Sequence, residues 1–380
     1  MRRLHWLLPI LLVSAALAAP PAFEKILRPG PVKPRSFSKL AFSPDGILFV
    51  GDSIGGRIFA LDLDDRKPAD NVKLEVADLE GKVAGLLGVD PRDLMIHSMA
   101  VNPISKNVYI TASRGKRGIV SEWQLPNDVA NASALLRVTP AGDIQEVRLD
   151  SVKHSFVDLS DPVDATSEVS WKKTKRRVDA ISDMVFADGK LYVAGLSNEE
   201  FSSTMRVYPF PFDGPGTATS LEIYHGSHGH YESDAPIYAF LPFRVHDKPY
   251  LIATYLCTPL VLFPLDDLKD KKHVKGTTIA ELGSGNYPLD MVAFKSEGKD
   301  YIMILNTDRG VLLIDTNELA KPLPAITSPT EGTAGLAVRH MRDRGVLQVE
   351  NYGDKQLLML SRNSLNGEVR LSTVAIDHLL

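Results

Sequence analysis

The sequence predicts an all-β exported protein: a β-propeller of about six blades, with room for a seventh, each blade a four-stranded antiparallel sheet around a central channel. Three observations lead there. An apolar strand–turn–strand unit recurs along the chain, helical periodicity is scarce, and a secretory-type leader precedes the first unit.

The leader comes first. Arg2 and Arg3 give a positive start, Leu7 to Ala18 form an apolar run, and Ala16-Leu17-Ala18 offers small residues where a signal peptidase reads. The run is shorter than the roughly 20 residues a helix needs to span a bilayer. Residues 1–18 are therefore expected to leave as a signal peptide, and 19–380 to form one propeller domain in the periplasm or outside the cell, with no membrane span. Loss of Arg2 and Arg3 takes the formal charge from −4 to −6, which argues against a nucleic-acid partner. The single Cys257 excludes an internal disulfide framework and reads as a packing residue in an apolar run.

The repeat unit is clearest at Lys39 to Asp52, where Leu40-Ala41-Phe42 turns through Ser43-Pro44-Asp45-Gly46 into Ile47-Leu48-Phe49-Val50. Pro presets the turn's φ and Gly supplies its positive φ, so the two apolar runs read as a hairpin. Five further pairs follow: Met99–Val101 with Val108–Ile110, Met184–Phe186 with Leu191–Val193, Tyr238–Leu241 with Tyr250–Ile252, Met291–Phe294 with Tyr301–Ile304, and Gly335–Val338 with Val346–Val349. Third runs such as Arg57–Leu61, Met205–Phe210, Leu260–Phe263 and Val311–Ile314 complete several units. Phe23 to Leu27 is expected to close the ring with the last blade, and residues 127–178 could hold a degenerate seventh blade. Helical turns are expected only at Pro264–Lys271 and Thr316–Ala320.

Phe42-Ser43-Pro44-Asp45-Gly46-Ile47-Leu48-Phe49-Val50-Gly51-Asp52 and Gly56-Arg57-Ile58-Phe59-Ala60-Leu61-Asp62 resemble units of the NHL, SMP-30/gluconolactonase and YVTN-type propellers. The likeness is one of fold, and fold alone does not set function.

In a propeller the loops entering first strands and leaving second strands share one face. Here those positions are rich in Asp, Asn, His, Ser and Thr, which suits a small polar ligand, a metal ion or a protein partner. Asp183 and Asp290 hold the same place in their repeats, before Met184-Val185 and Met291-Val292, and are the catalytic candidates. His97, Asn198, Asn306 and Asp308 are the ligand-binding candidates. The stretch Tyr224 to Asp234 holds three of the chain's ten histidines, so His225, His228, His230 and Asp234 are the candidate metal ligands, for calcium or zinc.

The basic run Lys172 to Arg177 reads as an exposed loop, and Asn131-Ala132-Ser133 fits a glycosylation acceptor. No haem-attachment, nucleophile-elbow or phosphate-loop motif occurs, so neither haem nor nucleotide is expected. Two functions remain. One is a binding propeller. The other, implied by the gluconolactonase resemblance, is a metal-dependent lactonase or esterase with Asp183, Asp290, Asn198 and Asn306 as ligands or base, although that group's ligand motifs do not match position by position.

Overall fold

The computed structural model describes residues 23, 26–69, 73–114, 133–169, 174–245, 247–323, 325–341 and 345–380. The expected signal peptide and Asn131 lie outside them. Six antiparallel sheets stand in a ring, the β-propeller that the repeat implied.

Counting blades by the chain order of their innermost strands, blade 1 starts with Leu40–Phe42, Ile47–Asp52 and Arg57–Asp62. Blade 2 is Leu94–Val101, Val108–Arg114, Ser133–Val138 and Ile144–Glu146. Blade 3 is Asp183–Ala187, Lys190–Leu196, Ser203–Pro209 and Thr217–His225. Blade 4 is Ala239–Val245, Lys248–Thr254, Pro259–Pro264 and Thr277–Leu282, with Thr333–Gly335 on its outer edge. Blade 5 is Pro288–Ser296, Lys299–Asn306, Gly310–Asp315 and Arg339–His340. Blade 6 is Val346–Asn351, Gln356–Arg362 and Val369–Ala375, completed by Glu75–Val76.

The hairpins form where the sequence places turn residues. In the first, Gly46 takes φ +79°, its N–H bonds the Ser43 carbonyl at 3.0 Å, and the Ser43 hydroxyl accepts from Ile47 N–H at 3.1 Å. Ile47, Leu48 and Phe49 then enter the sheet fully buried, each contributing roughly 1.5–3 kcal/mol by leaving water. Both faces of a blade are apolar because each packs on a neighbour, so six apolar clusters fill the six junctions between blades.

Those clusters fix an order around the ring that differs from chain order. Blade 1 packs on blades 2 and 3, while blade 2 packs on blades 1 and 6, giving the ring 1–2–6–5–4–3. After its third strand the chain steps sideways, donates Glu75–Val76 to blade 6 and builds blade 2. It then returns as Val152–Asp158, the fourth strand of blade 1, before entering blade 3. The ring is thus closed by Leu371↔Val76 pairing, not by the N-terminal segment. Phe23 and Leu27 instead pack between blades 1 and 3, and Arg28–Gly30 pairs outside Val152–Asp158.

Two other expectations change. The wide region thought able to hold a seventh blade supplies outer strands of blades 1 and 2, and its described residues form no further blade. In the last unit, Val346–Asn351 is the innermost strand and Gln356–Arg362 the second, because Thr333–Gly335 belongs to blade 4. Short apolar runs carry no mark of their order within a blade, so periodicity alone slipped that unit by one strand. The expected helical turns occur at Leu265–Asp267 and Thr316–Leu319, and an unexpected helix, Leu79–Leu87, packs between blades 2 and 6.

Of the basic run, Lys175 is exposed, while Arg176 and Arg177 are half-buried and bonded into the fold. Arg177 donates to the Ser53 carbonyl at 2.8 Å and to the Val163 carbonyl at 2.7 Å, and Arg176 to the Ser202 hydroxyl at 2.7 Å. Among the described residues no helix is long and apolar enough to cross a membrane.

Candidate functional site

The innermost strands of all six blades line one channel, with a cavity of about 370 Å³. Asp183, Asp290 and Glu350 face it together with Lys39 and Gln348. An innermost strand has backbone N–H groups that no further strand can pair, and such groups need partners when enclosed. Asp183 supplies one across the junction of blades 3 and 4, accepting from Phe240 N–H at 3.1 Å while also accepting from Met184 N–H at 2.9 Å. Asp290 does the same between blades 5 and 6, accepting from Val349 N–H at 2.9 Å and Met291 N–H at 2.8 Å. Ser98 accepts from Leu40 N–H at 3.2 Å, and Gln348 donates to the His97 carbonyl at 3.1 Å. The shared position of Asp183 and Asp290 therefore has a structural reason: each clasps the next blade.

The same enclosure perturbs their titration. Burial pushes Asp183 up to about 7; Lys39 opposes that shift and the Asp290 charge reinforces it. Burial pushes Asp290 up to about 6, against the hydrogen bond from Val349 and the Lys39 charge. Glu350 is raised well above its ordinary value by burial and then by Asp290 and Asp183. Protein surrounds these carboxyls, yet each residue is only half-buried, so the directions follow from low local polarity.

The histidine stretch forms a second cluster on the rim of the same face. His225 ends the outermost strand of blade 3, and Glu232 follows in the short strand His230–Glu232 that pairs back on it. Glu232 bonds His225 Nδ1 at 2.8 Å and His228 Nδ1 through its other oxygen. Burial would raise Glu232, but the hydrogen bonds from His225 and His228 outweigh it and hold its carboxyl below the ordinary value. Ligand atoms of His225, His228 and Cys257 lie within 4.8 Å of one another, as do those of His228, His230 and Glu232. Cys257 comes from the turn between the second and third strands of blade 4 and is only partly buried, not the core packing residue expected from its apolar neighbours. Asp234 is exposed and belongs to neither group; Glu232 is the carboxylate that the fold brings in.

The other candidates stand apart from the channel lining. His97 bonds the Ser113 hydroxyl at 2.7 Å and is lowered to about 4 by burial and then by Lys39, which keeps it neutral. Asn306 is buried in its own hairpin, its amide near the Ile304 and Gly310 carbonyls, while Asn198 and Asp308 are exposed on loops. Within blade 3, Asp183 is also separated from the histidine cluster by three strand spacings, about 14 Å at 4.7–4.9 Å each. Sequence reasoning missed Glu350, because the last unit was slipped by one strand, and Lys39, which stood unremarked at the head of the clearest repeat.

No protein-family model matches the chain, and no curated protein matches it in sequence. Among solved structures, the chain is similar to one from a mitotic checkpoint complex, at 8% identity over 92% of this chain and 93% of that one, with a TM-score of 0.36. It is also similar to a Thermus thermophilus protein described as an oxidoreductase of glucose-dehydrogenase type, at 13% identity over 92% and 100%, with a TM-score of 0.31. Likeness this distant carries nothing about ligand or reaction.

Proposed function

We propose that this is an exported binding propeller whose channel takes a small positively charged ligand, a divalent cation or an organic amine, on Asp183, Asp290 and Glu350. The observation that carries the reading is the gathering of three half-buried carboxyls on one channel with a single lysine beside them. Perturbed carboxyls in a cleft are a common mark of function. A cation bound there would be met by the ionised forms, so binding would drive protons off the acids. The amino-terminal residue pattern supports export.

Calorimetric titration of calcium, magnesium, small amines and neutral sugars tests it. Run at about pH 5 and about pH 8, it should show tighter cation binding at the higher pH, with proton release. Asp183→Asn and Glu350→Gln should each weaken it. Failure of every cation to bind, or binding indifferent to both substitutions, overturns the reading.

One observation favours a hydrolase as the second reading: a carboxyl titrating near 7 is placed where a general base works best. Asn198 and Asn306 lie off the channel, so Asp183, Asp290 and Glu350 would have to serve alone. Turnover of a lactone or ester that disappears in Asp183→Asn would favour it over simple binding.

A further inference from the structure

We propose that His225, His228 and Cys257 form a three-ligand site for a zinc- or copper-class ion on the rim between blades 3 and 4, separate from the channel.

The first ground is an orphaned nitrogen. His225 is 1% exposed; Glu232 holds its Nδ1, and its Nε2 is buried without any hydrogen-bond partner. An unsatisfied buried polar atom of this kind is destabilising, and an ion bound to it removes that cost. The second ground is convergence from separate blades. A ring nitrogen of His225, one of His228 and the Cys257 sulfur lie within 4.8 Å of one another. Around a tetrahedral ion with bonds of about 2.0–2.3 Å, such ligand atoms sit about 3.3–3.6 Å apart. The unliganded arrangement therefore needs only a small contraction.

Glu232 sets the orientation. One of its oxygens takes each Nδ1, which puts both Nδ1 protons on a single carboxylate and leaves each Nε2 with its lone pair free. The sulfur already accepts an N–H bond from Gly285 at 3.4 Å. Charge also balances. A divalent ion meets one thiolate and the Glu232 carboxylate, and the Cys257 thiol proton leaves to solvent as the metal–sulfur bond forms. Glu281, 1% exposed, accepts from Gly226 N–H at 2.6 Å and has its second oxygen buried without a partner beside the cluster. Two imidazoles and a thiolate select zinc or copper over calcium and magnesium, and three protein ligands leave a position open. His230 is exposed and bonds the His228 carbonyl through Nδ1 at 3.0 Å, so it props the turn rather than completing the set.

The test is titration of the metal-free full chain, kept reduced, with zinc, copper(II) and calcium in separate arms. One Cys257-dependent equivalent of zinc or copper should bind at micromolar affinity or tighter, calcium should not compete for that equivalent, and the copper arm should show thiolate charge-transfer absorption. Cys257→Ser should abolish that absorption. Cys257→Ser and His228→Ala, both at partly exposed positions and so expected to fold, should each weaken binding more than tenfold, and Glu232→Gln by about 10–100-fold. Asp183→Asn should leave unchanged the share of zinc binding that Cys257→Ser removes, which keeps this site's fate distinct from that of the channel. Zinc bound equally by wild type, Cys257→Ser and His228→Ala, or by none of them, overturns the proposal.

Discussion

Replacing Asp183 with Asn should destabilise the fold slightly in mild acid and stabilise it above neutrality. A carboxyl that titrates at about 7 in the fold and near its ordinary 3.8 in the open chain is held protonated by folding over that interval. The folded state then binds more protons than the unfolded state, so stability falls as pH rises from about 4 to about 7 and stays low above it. At 1.36 kcal/mol per pH unit of displacement, the loss reaches at most about 4 kcal/mol, and channel water lowers it. Asn removes this loss at every pH, because it carries no proton to give up. It has one acceptor oxygen where the carboxylate has two, so either the Met184 or the Phe240 N–H bond is forfeited, at a cost of about 1 kcal/mol.

The two effects have opposite signs and different pH dependence. Asp183→Asn should unfold at a slightly lower temperature than wild type at about pH 4 and at a higher one at about pH 8, by up to about 3 kcal/mol. In a chain of 380 residues that corresponds to about 4 °C in the midpoint. Thermal melts of both proteins across this range, read as a difference, cancel the titrating groups that do not feel the Asp183 charge. A difference that stays constant with pH, or that favours wild type more as pH rises, would refute the argument that burial holds this carboxyl protonated.

Three further substitutions probe the frame. Arg206 is 0% exposed and bonds Asp161 at 2.6 Å and the Ala180 and Leu196 carbonyls at 3.1 and 2.9 Å. Arg206→Met should cost about 3–5 kcal/mol in chemical denaturation, part of it recovered by adding Asp161→Asn. Phe49 stacks on Phe186 at 5.2 Å and meets Phe210 edge-on at 5.0 Å, so Phe49→Ala should cost about 3–5 kcal/mol, measured the same way. Val76→Asp puts a charge into the buried strand that closes blade 6. It should expose blades 2 and 6 to protease before the others, whereas closure by the amino-terminal segment would leave them protected.

What the sequence revealed and what it hid divide along one physical line. Hairpins are local: Ser43 to Gly46 encodes its own turn, and the flanking apolar runs can only bury both faces by stacking between neighbours, so the propeller was legible from single units. Ring order is not local. The pairing of Val152–Asp158 with Arg57–Asp62 and of Glu75–Val76 with blade 6 joins segments far apart in sequence, and nothing in either strand names its partner. The sites divide the same way. Asp183 and Asp290 stood out because their setting repeats, and that recurrence turned out to mark a clasp between blades as well as an acidic channel. Glu350 has no such echo, and its place depends on which strand of blade 6 is innermost. Likewise His225 and His228 announced themselves by spacing, while Cys257 read as core because its neighbours are apolar. Only the meeting of two blades shows that the sulfur lies beside the imidazoles. A ring of near-identical units therefore discloses its architecture early and its chemistry late, since the architecture repeats within blades and the chemistry forms between them.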